Sequence, residues 1–147
     1  MKIIWLITVL LCGGLLPLQG GFNARLGKSL ESPLYASLMT FVIAAIAMAL
    51  YLPFSKESFS WTALRSASLT SILGGGLTGV IFITGTMLAV PRLGMAITFG
   101  LVIAGQIIIA LLLDHFNILV AEPHSINYWR ILGVGLIVGG VFLVQKF

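Results

Sequence analysis

The stretch Ser66–Pro91, SASLTSILGGGLTGVIFITGTMLAVP, runs for 26 residues between Arg65 and Arg92 without a charged side chain. Crossing about 30 Å of hydrocarbon at about 1.5 Å per residue takes about 20 residues of helix, so this stretch is long enough to span a bilayer. Three others match it. Lys2 to Arg25 encloses 22 uncharged residues, Glu31 to Lys56 encloses 24, and Arg92 to Asp114 encloses 21. A last run, Ile131–Gln145, has 15. Asn127, Tyr128 and Trp129 lead into it, and Arg130 can reach the headgroups along its apolar stem. All the runs are continuously apolar rather than alternating, which excludes a transmembrane barrel. Backbone amides in hydrocarbon must be satisfied within their own segment, which makes the runs helices. The expected fold is therefore all-α and integral to a membrane. Its five transmembrane helices lie at about 3–23, 33–53, 67–90, 94–115 and 128–146, in one domain over 1–147.

Composition agrees. The chain is 59% hydrophobic and 8% charged, against about 45–50% and about 25% in soluble domains. Lipid contact removes the need for a charged surface. The net charge of +4 comes from basic residues scattered singly, so the patch or stripe of a nucleic-acid binder is missing. Trp5, Tyr35, Tyr51, Tyr128 and Trp129 fall near the expected helix ends, where amphipathic rings meet headgroups. Lys2 followed by Ile3–Leu11 has the outline of a signal peptide. Leu11 before Cys12 is too large for a lipoprotein site, however, and no A-x-A pattern follows, so the run reads as the first spanning helix. The lone Cys12 cannot form an internal disulfide and reads as a small buried apolar residue.

Orientation normally follows an excess of Lys and Arg in cytoplasmic loops. With five spans, one side holds Lys2, Lys56, Arg65 and Arg130, and the other holds Arg25, Lys28, Arg92 and Lys146: four against four. Either snorkelling and loop edges conceal a bias, or the chain inserts both ways round. In the second case it would pair with an inverted copy, as inverted repeats do in ten-helix transporters.

No Asp, Glu, Lys, Arg or His lies well inside a span. That argues against carboxylate-driven drug–proton exchange. It also leaves no catalytic pair, metal cluster or cofactor site at depth, so an intramembrane enzyme is not expected. Asp114 and His115, at the end of the fourth segment, are the remaining ionisable candidates for coupling or interfacial anchoring. What the interior does carry is neutral and polar. Gln106 sits near the middle of the fourth segment, with Phe99 and Ile103 on its face. The first segment carries Pro17, Gln19, Gly20, Gly21 and Asn23, and Pro17 frees one helical carbonyl. Thr78, Phe82 and Thr86 form a stripe on the third. An unpaired amide in hydrocarbon costs several kcal/mol. Gln19, Asn23 and Gln106 must therefore face protein, water or substrate, as interhelical hydrogen bonds or as a pathway lining. Thr78 and Thr86 can instead bond back to their own helix.

Small residues let membrane helices approach closely. Gly75 and Gly79 in the third segment, and Ser37, Thr40, Ala44 and Ala47 on one face of the second, suit packing within one protomer. Gly133, Gly135, Gly139 and Gly140 lie in the fifth, which has almost no polar side chain between Arg130 and Gln145. They suit a contact between two protomers.

Three stretches together resemble a known family: Gly14-Leu15-Leu16-Pro17-Leu18-Gln19-Gly20-Gly21-Phe22-Asn23-Ala24-Arg25-Leu26-Gly27, then Val90-Pro91-Arg92-Leu93-Gly94, then Gly105-Gln106 through Leu113-Asp114-His115-Phe116. Arg130-Ile131-Leu132-Gly133-Val134-Gly135 and Gly139-Gly140 follow. The chain resembles, over essentially its whole length, the YdcZ-type small members of the drug/metabolite transporter superfamily, relatives of the EamA-like transporters. The resemblance implies a five-helix half-transporter of the bacterial inner membrane, equivalent to one repeat of the ten-helix members and working as a dimer. The partner would be a second, possibly antiparallel, copy or a paired homologous subunit. Gln19, Asn23, Pro91, Arg92, Gly94, Gln106, Asp114 and His115 match the family pattern, which adds Arg92 to the coupling or interface candidates. The expected activity is secondary transport, in the export direction, of a small polar metabolite or drug-like molecule. The alternative is a non-transporting membrane subunit that needs a partner chain. The chain lacks the membrane-embedded glutamate of the small multidrug resistance relatives.

Overall fold

The computed structural model describes residues 2–119 and 126–147 and contains, among them, helices and no strand. The helices are α1 (Lys2–Ser29), α2 (Pro33–Tyr51), α3 (Trp61–Ser66), α4 (Leu69–Leu93), α5 (Met95–Phe116) and α6 (Tyr128–Lys146), with a 3-10 turn at Leu52–Phe54. Five of these, all but α3, are long and apolar enough to cross a membrane. The chain divides into two compact units, 1–92 and 93–147.

In the first unit, α1 runs six residues past the apolar stretch that announces it. The charge-free run ends at Arg25, but nothing from Ala24 to Ser29 breaks a helix. The stop comes at Glu31, which adopts a left-handed φ of 51°. The Ser32 amide then donates to Gly27 O at 3.1 Å, and the Glu31 amide to Lys28 O at 3.3 Å, a Schellman ending. Ser32 also starts the next helix. Its Oγ accepts from the Tyr35 amide at 3.4 Å, and Pro33 fills the first helical position, where its missing N–H costs nothing. Three residues thus turn the chain from α1 into α2.

The α1 face that meets its neighbours is Gly20, Asn23 and Gly27, all buried. Across it lie Ala36 and Ser37 of α2, also buried. A Cβ on Gly27 would stand 3.4 Å from Met87 Sδ and 3.7 Å from Pro33 Cα, ordinary contact distances, so the elements pass close here with room left for no more than a small side chain. Gly79 of α4 comes near the Phe41 ring, 3.6 Å from where its Cβ would be. Pro91 lies inside α4, which continues to Leu93. Residues 2–15 of α1 are exposed throughout. Cys12 is among them and is not the buried residue expected, because no other described element of its unit covers that part of α1.

In the second unit, Gly94 precedes α5 at a φ of 81°, a region that L side chains avoid and glycine enters freely. At the far end Asn117 is left-handed, and the Ile118 amide reaches Leu113 O at 2.9 Å. Asn127 caps α6, its side-chain oxygen accepting from the Arg130 amide at 2.9 Å. The expected long connection from Asn117 to Asn127 falls partly outside the described residues, at 120–125. Helices α5 and α6 pack through Gly100, where a Cβ would come within 3.0 Å of Val141 Cγ2. Ala104, one turn on, is buried. Arg130 Nη1 meets Asp114 Oδ2 at 3.2 Å, with side chains 32% and 29% exposed.

Gly100→Leu is expected to push α5 and α6 apart, overpacking of this kind costing about 1–3 kcal/mol. Thermal unfolding in detergent would show the loss, and Val141→Ala in the same chain should restore part of it. Additive effects of the two substitutions would remove the contact.

Candidate functional site

Neutral polar side chains divide between the two units. In the first, Asn23 of α1 is 9% exposed, and Thr40 Oγ1 of α2 donates to its Oδ1 at 2.9 Å while lying 3.0 Å from Ala36 O on its own helix. Nearer the start of α2, Ser37 Oγ donates to Pro33 O at 2.9 Å and accepts from Thr84 Oγ1 of α4 at 3.0 Å. Met87 Sδ lies 3.9 Å from the same hydroxyl. These groups tie α1 to α2 and α2 to α4. The polar atoms that glue membrane helices are of this kind, worth about 0.6 kcal/mol each in measured cycles.

Gln19 stands one turn before Asn23 on α1 and is exposed. Among the described residues its side chain has no hydrogen-bond partner. Thr78 and Thr86 are turned inward on their own helix. Thr78 Oγ1 donates to Gly74 O at 2.7 Å, and Thr86 Oγ1 to Phe82 O at 2.9 Å. Phe82 is half-buried. Arg92, in the last turn of α4, is exposed.

In the second unit Phe99 is buried, and Gln106, two turns along α5, is exposed with no hydrogen-bond partner among the described residues. Asp114 is engaged by Arg130, a half-buried pair at the ends of α5 and α6. His115 is exposed, its ring edge-on to Phe116 at 5.1 Å. Among the described residues nothing lies within 4 Å of where a Cβ would stand on Gly133, Gly135, Gly139 or Gly140. This small-residue face of α6 is not used up by packing among the described residues of its own unit.

The structure therefore joins Asn23 to a hydroxyl on a neighbouring helix, returns both threonines to their own backbones, and leaves Gln19 and Gln106 open. Sequence reasoning missed Thr84 and Gly100. Thr84 lies off the stripe of Thr78, Phe82 and Thr86, so the periodicity that selected those residues passed over it. Gly100 carried a signal, because Gly100 and Ala104 repeat the small-residue spacing of four noted elsewhere.

Over residues 4–143 the sequence matches the model of a family described as "Putative inner membrane exporter, YdcZ". No curated protein and no solved structure matches the chain. The family match begins in α1 and ends inside α6, so it takes in the exposed amides, the proline-glycine junction before α5 and the open glycine face together: the chain belongs to the YdcZ family, DMT_YdcZ.

Proposed function

We propose that the chain is one half of a secondary transporter that exports a small polar molecule, neutral or zwitterionic, from the cell. Two five-helix chains, equivalent to the two repeats of a ten-helix transporter, form the carrier and expose the site to either side in turn. The observation that carries this reading is the pair of open amides. Gln19 and Gln106 lie in spanning helices, exposed and without a partner among the described residues. Hydrocarbon around either would cost several kcal/mol. A substrate pathway or a second protomer relieves that cost, and a dimer enclosing a pathway relieves it at both places.

The remaining polar residues take supporting parts. Asn23 lines the pathway with its unused amide capacity beside Gln19, while Thr78, Phe82, Thr86 and Phe99 shape the apolar wall. Asp114, His115 and Arg92 stand at helix ends, where they anchor or couple rather than bind substrate at depth. Gly133, Gly135, Gly139 and Gly140 form the protomer contact. A membrane subunit that becomes active only beside a different chain is the competing reading, since such a chain would satisfy the same amides. Transport of a panel of labelled amino acids, sugars and cationic dyes by the purified chain alone in liposomes separates the two.

Gln106→Leu is expected to leave expression intact and reduce that transport to background. Unchanged transport would make Gln106 a structural residue. Gly135→Leu and Gly139→Leu should weaken dimerisation, read as loss of the cross-linked dimer in detergent. A fully retained dimer takes α6 out of the contact. Reporter fusions at both termini are expected to find each end on both sides of the membrane. A single orientation would require an oppositely inserted partner chain or a parallel assembly.

A further inference from the structure

The connection between α2 and α4 takes no part in the transport reading, yet it holds a concentration of exposed large apolar side chains at the edge of the spans and beyond it. Phe54 is 85% exposed, Phe59 68% and Trp61 69%, and Leu64 is exposed as well. Exposure of this kind is ordinary on a spanning helix, where acyl chains cover it. This segment is too polar for that. Residues 55–68 include Ser55, Ser58, Ser60, Thr62, Ser66 and Ser68 together with Lys56, Glu57 and Arg65. Water is a poor solvent for the rings, and hydrocarbon is a poor solvent for the charges.

The local geometry sorts the two kinds of side chain. From Ser58 to Thr62 polar and apolar residues alternate, so an extended backbone sends Phe59 and Trp61 to one side. Their rings meet edge-to-face at 4.9 Å and 88°. Ser60 then caps α3, its Oγ accepting from the Ala63 amide at 3.2 Å. One helical turn places Leu64 and Arg65 three and four residues after Trp61, on the same side. Phe54 closes one span and Leu69 opens the next, so both ends of the segment are tethered to the membrane surface. Lys56 and Arg65 outnumber Glu57, a surplus of one positive charge that suits lipid phosphate.

We propose that residues 54–66 form an interfacial arm. Its edge of Phe54, Phe59, Trp61 and Leu64 sinks to the level of the headgroups, and Lys56 and Arg65 engage the phosphates of anionic lipids. The zone between water and acyl chains accepts aromatic rings and basic groups together. The arm stands independently of what the protein carries.

Trp61 serves as the probe. The chain has three tryptophans, so Trp5→Phe with Trp129→Phe leaves it alone. The full chain goes into phosphatidylglycerol–phosphatidylcholine vesicles carrying a nitroxide on the headgroup, high on the acyl chain or deep in it. Strongest quenching by the headgroup and shallow labels, with acrylamide quenching several-fold weaker than for free tryptophan, is expected. Acrylamide quenching equal to that of free tryptophan would overturn the arm. So would quenching by no lipid label, which means protein covers the ring, or strongest quenching by the deep label. Lys56→Gln with Arg65→Gln should abolish any gain in shallow quenching that phosphatidylglycerol gives over phosphatidylcholine alone. An unchanged gain, or none in the parent, overturns the anionic-lipid contact. If the two-phenylalanine background does not fold, a nitroxide on Ala63→Cys in a Cys12→Ser chain reports the same depth by oxygen and nickel accessibility.

Discussion

Hydrocarbon offers no hydrogen bonds, and the rest of this structure follows from that. Each spanning backbone closes its own ladder, so helices are the available element. Lipid covers apolar side chains as well as protein does, which leaves the helices without a hydrophobic force drawing them together. Only about 6–17% of each span is buried inside the chain. What holds the helices is correspondingly specific. Gly100 admits Val141, Gly27 lies close to Met87 and Pro33, and hydroxyls bridge Asn23 to Thr40 and Thr84 to Ser37.

The same solvent makes polar side chains informative. A threonine inside a span can find an acceptor on the turn below it, as Thr78 and Thr86 do. A glutamine is too long to be satisfied that way. Gln19 and Gln106 are exposed and have no hydrogen-bond partner among the described residues, which is why the proposed transport reading turns on them. An inner membrane exporter family is a natural home for such residues.

The five spans could be read from charge-free runs because membrane thickness imposes a length that sequence must meet. The helix ends could not be read in the same way, since the hydrocarbon edge and the helix stop are different events. Apolar character ends at Arg25, whereas α1 ends where Glu31 turns left-handed. Pro91 likewise did not end α4. Its ring removes one donor but leaves the helix intact to Leu93. Of the site, the amides were conspicuous as rare polar groups in apolar runs. Which of them would pair was not, because the Asn23–Thr40 bond depends on how two helices cross. Cys12 misled for a related reason: a small thiol suits either a core or a lipid-facing wall.

The Thr40 hydroxyl has a single proton and two oxygens in reach, Asn23 Oδ1 on α1 at 2.9 Å and Ala36 O on α2 at 3.0 Å. It can serve only one acceptor at a time. Were α1 and α2 to part at this level, the hydroxyl could turn to Ala36 O on its own helix and would not be stranded in oil. Only the asparagine oxygen would be released. A clasp built this way would open with half its hydrogen-bonding need already met.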